Sequence, residues 1–161
     1  MFGKTKNAAA SLTRQLTRNG FKKYYEAMAE GTPPAASGTL TDYLIRDGRT
    51  NCSTVCSPDT LGSKKAVLEY QVLAQYETNG KCLSHLRIQL QTGRHHQIRV
   101  QFSHAGCPLF GDRKYNPDGI PVSRLYLCAC QLDFLHPSTG KLLHFEIQPF
   151  FYEEFDKSSP S

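Results

Sequence analysis

The feature that most constrains this chain is a hairpin signature near its middle. Ala66, Leu68, Tyr70, Val72 and Ala74 alternate with more polar neighbours, Asn79-Gly80 follows, and Leu86, Ile88 and Leu90 resume the alternation. A period of two places each apolar set on one face of a strand. Asn-Gly suits the two consecutive positive φ angles of a tight hairpin turn. Antiparallel pairing is therefore predicted between these two strands.

The flanking segments extend that pattern. Thr5 to Asn19 reads as a helix, with Ala8, Ala9, Leu12 and Leu16 on one stripe, Arg14 and Arg18 on another face, and Gly20 as the stop. Lys22 to Glu30 and Thr39 to Ile45 read as strands, and Asn51 to Lys65 as a long loop holding at most a short strand. His96 to His104 reads as a short helix ending at Gly106. Leu125 to Phe134 and Leu142 to Ile147 form a second hairpin across His136-Pro137-Ser138-Thr139-Gly140. Met1-Phe2 is read either as the stump of a strand or as a frayed terminus. The expected class is α+β, a mixed and mostly antiparallel sheet with flanking helices.

With 161 residues the chain is sized for one domain. No run approaches 18 apolar residues, so no transmembrane helix is expected. The start, MFGKTKNAAAS, has no apolar core of a signal peptide. Six cysteines without such a signal read as reduced thiols of a cytoplasmic protein. Cys52 and Cys56, with Cys128 and Cys130, do not combine into a well-spaced tetrahedral set, so no metal is expected.

The net charge of +5 is unevenly spread. Lys4, Lys6, Arg14, Arg18, Lys22 and Lys23 precede the first acid, Glu26. Between His85 and Tyr115, five Lys/Arg and four His face one acid, Asp112. Such blocks suit a polyanion, although on charge alone two solvated surfaces are the better reading.

The segment richest in chemistry is Leu90-Gln91-Thr92-Gly93-Arg94-His95-His96-Gln97-Ile98-Arg99-Val100-Gln101. A strand ends, glycine turns the chain, and a helix opens with Arg, two His and Gln. That arrangement suits an anion held by a helix start and a planar guanidinium. A solvated arginine and a core histidine would satisfy the same spacing.

The ordered series Leu-x-Thr-Gly-Arg-x-His-Gln-Ile-Arg-Val, His104-Ala105-Gly106-Cys107-Pro108-Leu109 and Gly111-Asp112-Arg113-Lys114-Tyr115 resembles the RluA-type pseudouridine synthases. Lys4-Thr5 to Gln15, Lys22-Lys23-Tyr24-Tyr25-Glu26-Ala27, Gly38-Thr39-Leu40, Arg124-Leu125-Tyr126-Leu127 and His136-Pro137 extend the resemblance over residues 1–150. It implies a pseudouridine synthase catalytic domain, in part, over 1–150 and a polar tail over 151–161. It further implies isomerisation of uridine to pseudouridine in ribosomal or transfer RNA, with no cofactor and no membrane. On this resemblance Tyr25 stacks on the base, Arg99 partners the family's catalytic aspartate, and Leu127 lines the uracil pocket. Arg94, His96 and Gln97 contact RNA or shape the site, and the basic side chains Arg14, Arg18 and Lys23 engage phosphates. The family's His-Arg-Leu-Asp-x-x-x-Ser-Gly segment does not occur in these 161 residues, and no other aspartate stands at its place in the motif order. The expectation is thus a fragment lacking the catalytic Asp, with Arg99 facing the place of the missing carboxylate. A catalytically inactive RNA-binding remnant is the alternative, and a separate N-terminal fragment is a partner the reading admits.

Overall fold

The computed structural model describes residues 3–18 and 20–155, so the two readings of Met1-Phe2 fall outside the described residues. Helix α1 (Lys6–Thr17) precedes strands β1 (Lys22–Glu30), β2 (Ser37–Asp47), β3 (Cys52–Cys56), β4 (Lys64–Thr78) and β5 (Lys81–Leu90). Helix α2 (Gln97–His104), strands β6 (Leu127–Leu135) and β7 (Leu142–Glu146), and the short helix α3 (Tyr152–Phe155) follow. The strands form one seven-stranded sheet in the order β3-β2-β4-β5-β1-β6-β7. Every adjacent pair is antiparallel, so the α+β expectation holds while its parallel component does not occur among the described strands. Each link is a hairpin or a return of opposite direction, and no crossover helix carries a strand back parallel to its neighbour.

The β4–β5 turn takes φ of 50° at Asn79 and 70° at Gly80, the two positive values the dipeptide predicts. The Asn51–Lys65 segment contains the five-residue edge strand β3, paired to β2 from Tyr43↔Cys56 to Asp47↔Cys52.

Strand β1 lies between β5 and β6, and both its faces are covered. On one face Ala27 and Ala29 join Leu86, Ile88, Leu68 and Tyr70 in a cluster closed by Ile98 and Phe102 of α2. Helix α2 ends in a glycine-terminated cap, with Gly106 at φ 83°, its N–H donating to the Ser103 carbonyl and that of Cys107 to the Phe102 carbonyl. On the other face Met28 and Leu83 meet Phe110, Tyr126 and Phe151.

Phe151 is 1% exposed, which corrects the expected start of the tail. Residues 151–155 belong to the fold: Tyr126 donates its hydroxyl proton to Glu154 over 2.6 Å, and Arg124 pairs with the same carboxylate. Tyr152 stacks edge-on to His85, which bonds to the buried Glu26 over 2.7 Å. Burial works against the Glu26 carboxylate, but hydrogen bonds from His85 and Tyr152 and the nearby Arg87 charge prevail, leaving its pKa below the ordinary value. The acidic look of Glu153-Glu154 masked the apolar anchor beside it.

Helix α1 is capped by Thr5, whose hydroxyl accepts the Ala8 N–H over 3.2 Å. Its docking face differs from the predicted stripe. Leu12 is buried, but Leu16 is 51% exposed, and Gln15 makes the contact instead by bracketing the Leu135 backbone. No helix among the described residues is long and apolar enough to cross a membrane.

Candidate functional site

The turn after β5 is clamped to β4. Thr92 accepts the Val67 N–H over 2.8 Å and donates to Gln97 Oε1, which also accepts the Arg94 N–H. Gln97 Nε2 donates to the Val67 carbonyl over 3.0 Å. The Gln97 amide is thereby engaged inside the turn and is 3% exposed, the geometry of a residue that shapes the site. Its role is to set the turn that presents Arg94.

Arg94 is exposed and fixed at one edge, Nε donating to the Lys65 carbonyl over 2.8 Å. It lines two clefts. One, about 420 Å³, is walled by Leu16, Phe21, Lys23 and Thr92. The other, about 450 Å³, is walled by Arg46, Ser53, Lys64 and His95. Lys23 and Arg94, from separate basic blocks of the sequence, therefore meet at one cleft. Arg14 and Arg18 are exposed on α1 and line neither.

Arg99 does not face an empty space, contrary to expectation. Its Nε and Nη2 donate to the two carboxylate oxygens of Asp112 over 2.8 and 2.7 Å, and the Asp112 side chain is fully buried. Asp112 Oδ1 also accepts the backbone N–H of Lys114 and of Tyr115. Burial opposes the Asp112 charge; the Arg99 hydrogen bonds, these N–H groups and the guanidinium charge overcome it and lower its pKa. The same hydrogen bonds raise that of Arg99. The guanidinium stands 5.0 Å from the Tyr115 ring centroid.

Tyr115 is the hub that sequence reasoning missed, although it closes the Gly111–Tyr115 segment that carried part of the resemblance. Its hydroxyl accepts the Ser53 N–H over 2.9 Å and meets His96 Nδ1 at 2.8 Å. His96 is stacked on His95 at 3.8 Å between centroids, and His95 Nδ1 lies 2.9 Å from Ser53 Oγ. His96 occupies the left-handed region at φ 52° as the residue before α2, a strained position for a non-glycine residue. Burial and the charges of Arg99, His95 and Lys114 bring its pKa down to about 4, against a smaller opposing effect of Asp112.

Tyr25 and Leu127 sit on neighbouring strands, paired through Tyr25↔Ala129 and Ala27↔Leu127. The alternation puts both side chains on the face that α2 covers, each half-buried against the cluster of Ala27, Ile98 and Phe102. Burial raises the Tyr25 pKa, so the phenol stays protonated at neutral pH. Among the described residues no group of three or more His, Cys, Asp or Glu is arranged to hold a metal ion.

The family model described as RNA pseudouridylate synthase matches residues 1–104. An uncharacterized RNA pseudouridine synthase of Chloroflexus aurantiacus is 36% identical over 140 residues, covering 86% of this chain and 42% of that protein. The dual-specificity RNA pseudouridine synthase RluA of Pasteurella multocida is 32% identical over 154 residues, covering 94% of this chain and 68% of the relative. Among solved structures, human RNA pseudouridylate synthase domain containing 1 superposes with a TM-score of 0.75 at 25% identity, over 93% of this chain and 64% of that one. The chain spans about half the length of several curated relatives it matches.

Proposed function

Because the chain belongs to the RNA pseudouridylate synthase family, we propose that it works in the conversion of uridine to pseudouridine in ribosomal or transfer RNA. It supplies the base pocket and the RNA grip of that reaction. Tyr25 stacks on the flipped uracil and Leu127 lines the pocket beside it. Lys23 and Arg94 hold phosphates across the cleft they share, with Arg14 and Arg18 extending the charged surface. The observation that supports the reading is that Tyr25 and Leu127 lie on adjacent strands on one sheet face, both half-buried.

The reaction also needs a carboxylate against the nucleotide sugar. The His-Arg-Leu-Asp segment that carries it in the family is not among these residues, so a polypeptide bearing that segment completes the site. RNA binding without turnover is the second reading. It is favoured by one observation: Arg99, the expected partner of that aspartate, is already engaged at two positions by Asp112.

Tritium release from C5-labelled uridine in ribosomal or transfer RNA separates the two. The chain alone is expected to bind RNA and release no tritium. Adding a polypeptide that contains the His-Arg-Leu-Asp segment is expected to give release, and Tyr25→Phe to abolish it. No release under any combination supports the binding reading. Release by the 161-residue chain alone would show that another carboxylate serves, with Asp112 the first to substitute.

A further inference from the structure

The hydrogen bonds around Tyr115 have a direction. Its hydroxyl oxygen accepts the Ser53 N–H, and that amide can only donate. Among the described residues the phenolic proton then has one acceptor in range, His96 Nδ1 at 2.8 Å. An Nδ1 that accepts carries no proton, so the single proton of a neutral ring lies on Nε2. No hydrogen-bond partner meets Nε2 among the described residues, and the ring is partly exposed.

We propose that Tyr115 is a positioning residue: it fixes His96 as a neutral imidazole whose Nε2–H donates to an acceptor oxygen of the bound RNA. This rests on the RNA-binding reading of the site. Three elements converge to build the lock. Strand β3 gives the Ser53 N–H, the start of α2 gives His96 in its left-handed conformation, and the following loop gives Tyr115. Tyr115 is itself tied down, its N–H to Asp112 and its carbonyl accepting from Ser103 Oγ. A strained backbone held by this many contacts marks a side chain whose aim matters.

The groups around His96 favour the neutral ring. Arg99 on α2, the adjacent His95 and Lys114 on the loop all oppose a further positive charge, and Asp112, occupied by Arg99, only partly offsets them. Cys52 of β3 lies near Arg99 and Tyr115. The site so built offers two unlike donors side by side. Arg99 is a permanent cation, and His96 is an uncharged, directional N–H.

Nitrogen-15 NMR of the histidine rings in the full chain tests the lock directly. His96 is expected to show one tautomer, protonated on Nε2, from pH 8 down to pH 5.5. Tyr115→Phe is expected to give mixed tautomers and to move protonation of the ring up by about one pH unit. Binding of a short uridine-containing single-stranded RNA reads the function. His96→Gln, whose amide nitrogen reaches roughly the Nε2 position, is expected to keep affinity within about threefold, and His96→Asn to lose about tenfold. Equal effects of the two substitutions would overturn the donor role. An Nδ1–H or mixed tautomer in the unsubstituted chain would overturn the lock, whether or not Tyr115→Phe folds. Absence of RNA binding by the unsubstituted chain would overturn the functional reading of the site, while the tautomer measurement decides the Tyr115–His96 pairing independently.

Discussion

Asp112 is a buried anion that has no spare acceptor capacity toward other charges: one arginine and two backbone N–H groups occupy it. Asp112→Asn leaves the Arg99 guanidinium without its counter-charge in a half-buried site. A loss of about 3 kcal/mol in stability is expected, read as a lower urea midpoint at unchanged slope. The same groups set an acid limit. Asp112 and Glu26 titrate lower folded than unfolded, so their stabilisation is present above about pH 4 and is lost as pH falls through their folded values. His96 titrates at about 4 in the fold against 6.5 when free. The folded state excludes a proton that the unfolded chain takes up, so stability declines from pH 6.5 downward as well. Urea midpoints at pH 7.5, 5.5 and 4.5 should therefore fall in that order, and a midpoint constant to pH 4.5 would contradict the His96 assignment. At this scale the sequence exposed the motif residues but not their partners. Arg99 and Asp112 are joined through an irregular loop, and no periodicity reports which donor meets which acceptor there.

Among the elements, the central hairpin was legible because turn chemistry and strand alternation agree. Gly80 at φ 70° has no steric contact around it, so only its backbone conformation resists a side chain. Gly80→Val is expected to cost about 1 kcal/mol or more, measured by thermal or urea unfolding, with the fold retained. Helix α1 was legible in extent but not in orientation. Its docking depends on Gln15, whose amide donates to the Leu135 carbonyl over 2.8 Å and accepts the Leu135 N–H over 2.9 Å. A polar side chain that binds backbone leaves no mark in a hydrophobic pattern. Gln15→Ala is expected to cost about 1–3 kcal/mol and to increase amide exchange in α1 and at Leu135. Strand β3 was legible only as a short strand somewhere within Asn51–Lys65, and helix α3 not at all, because five and four residues are too short for a period to show.

For the molecule as a whole, charge is the property most open to test. The sequence exposed two basic blocks, and folding joins them at Arg94 and Lys23. Observed RNA affinity should fall with a log–log slope in salt of about −0.7 per neutralised single-strand phosphate. Arg94→Ala with Lys23→Ala should flatten that slope by more than Arg14→Ala with Arg18→Ala, because only the first pair lines the cleft. Equal flattening would place the phosphate contacts on α1 instead. The strand order was beyond the sequence, since alternation marks the buried face of a strand and is silent on which strand lies beside it.

That order has a consequence for how the chain is made. Strand β1 is synthesised before both of its neighbours in the sheet, β5 and β6, residues 81–90 and 127–135. Until β5 has been synthesised, the strand bearing Tyr25 has no edge to pair with, while β2 with β3 can already close locally. Assembly around β1 is a long-range event, so nascent chains halted before residue 81 should be cut by protease within residues 22–30, and chains released at full length should resist.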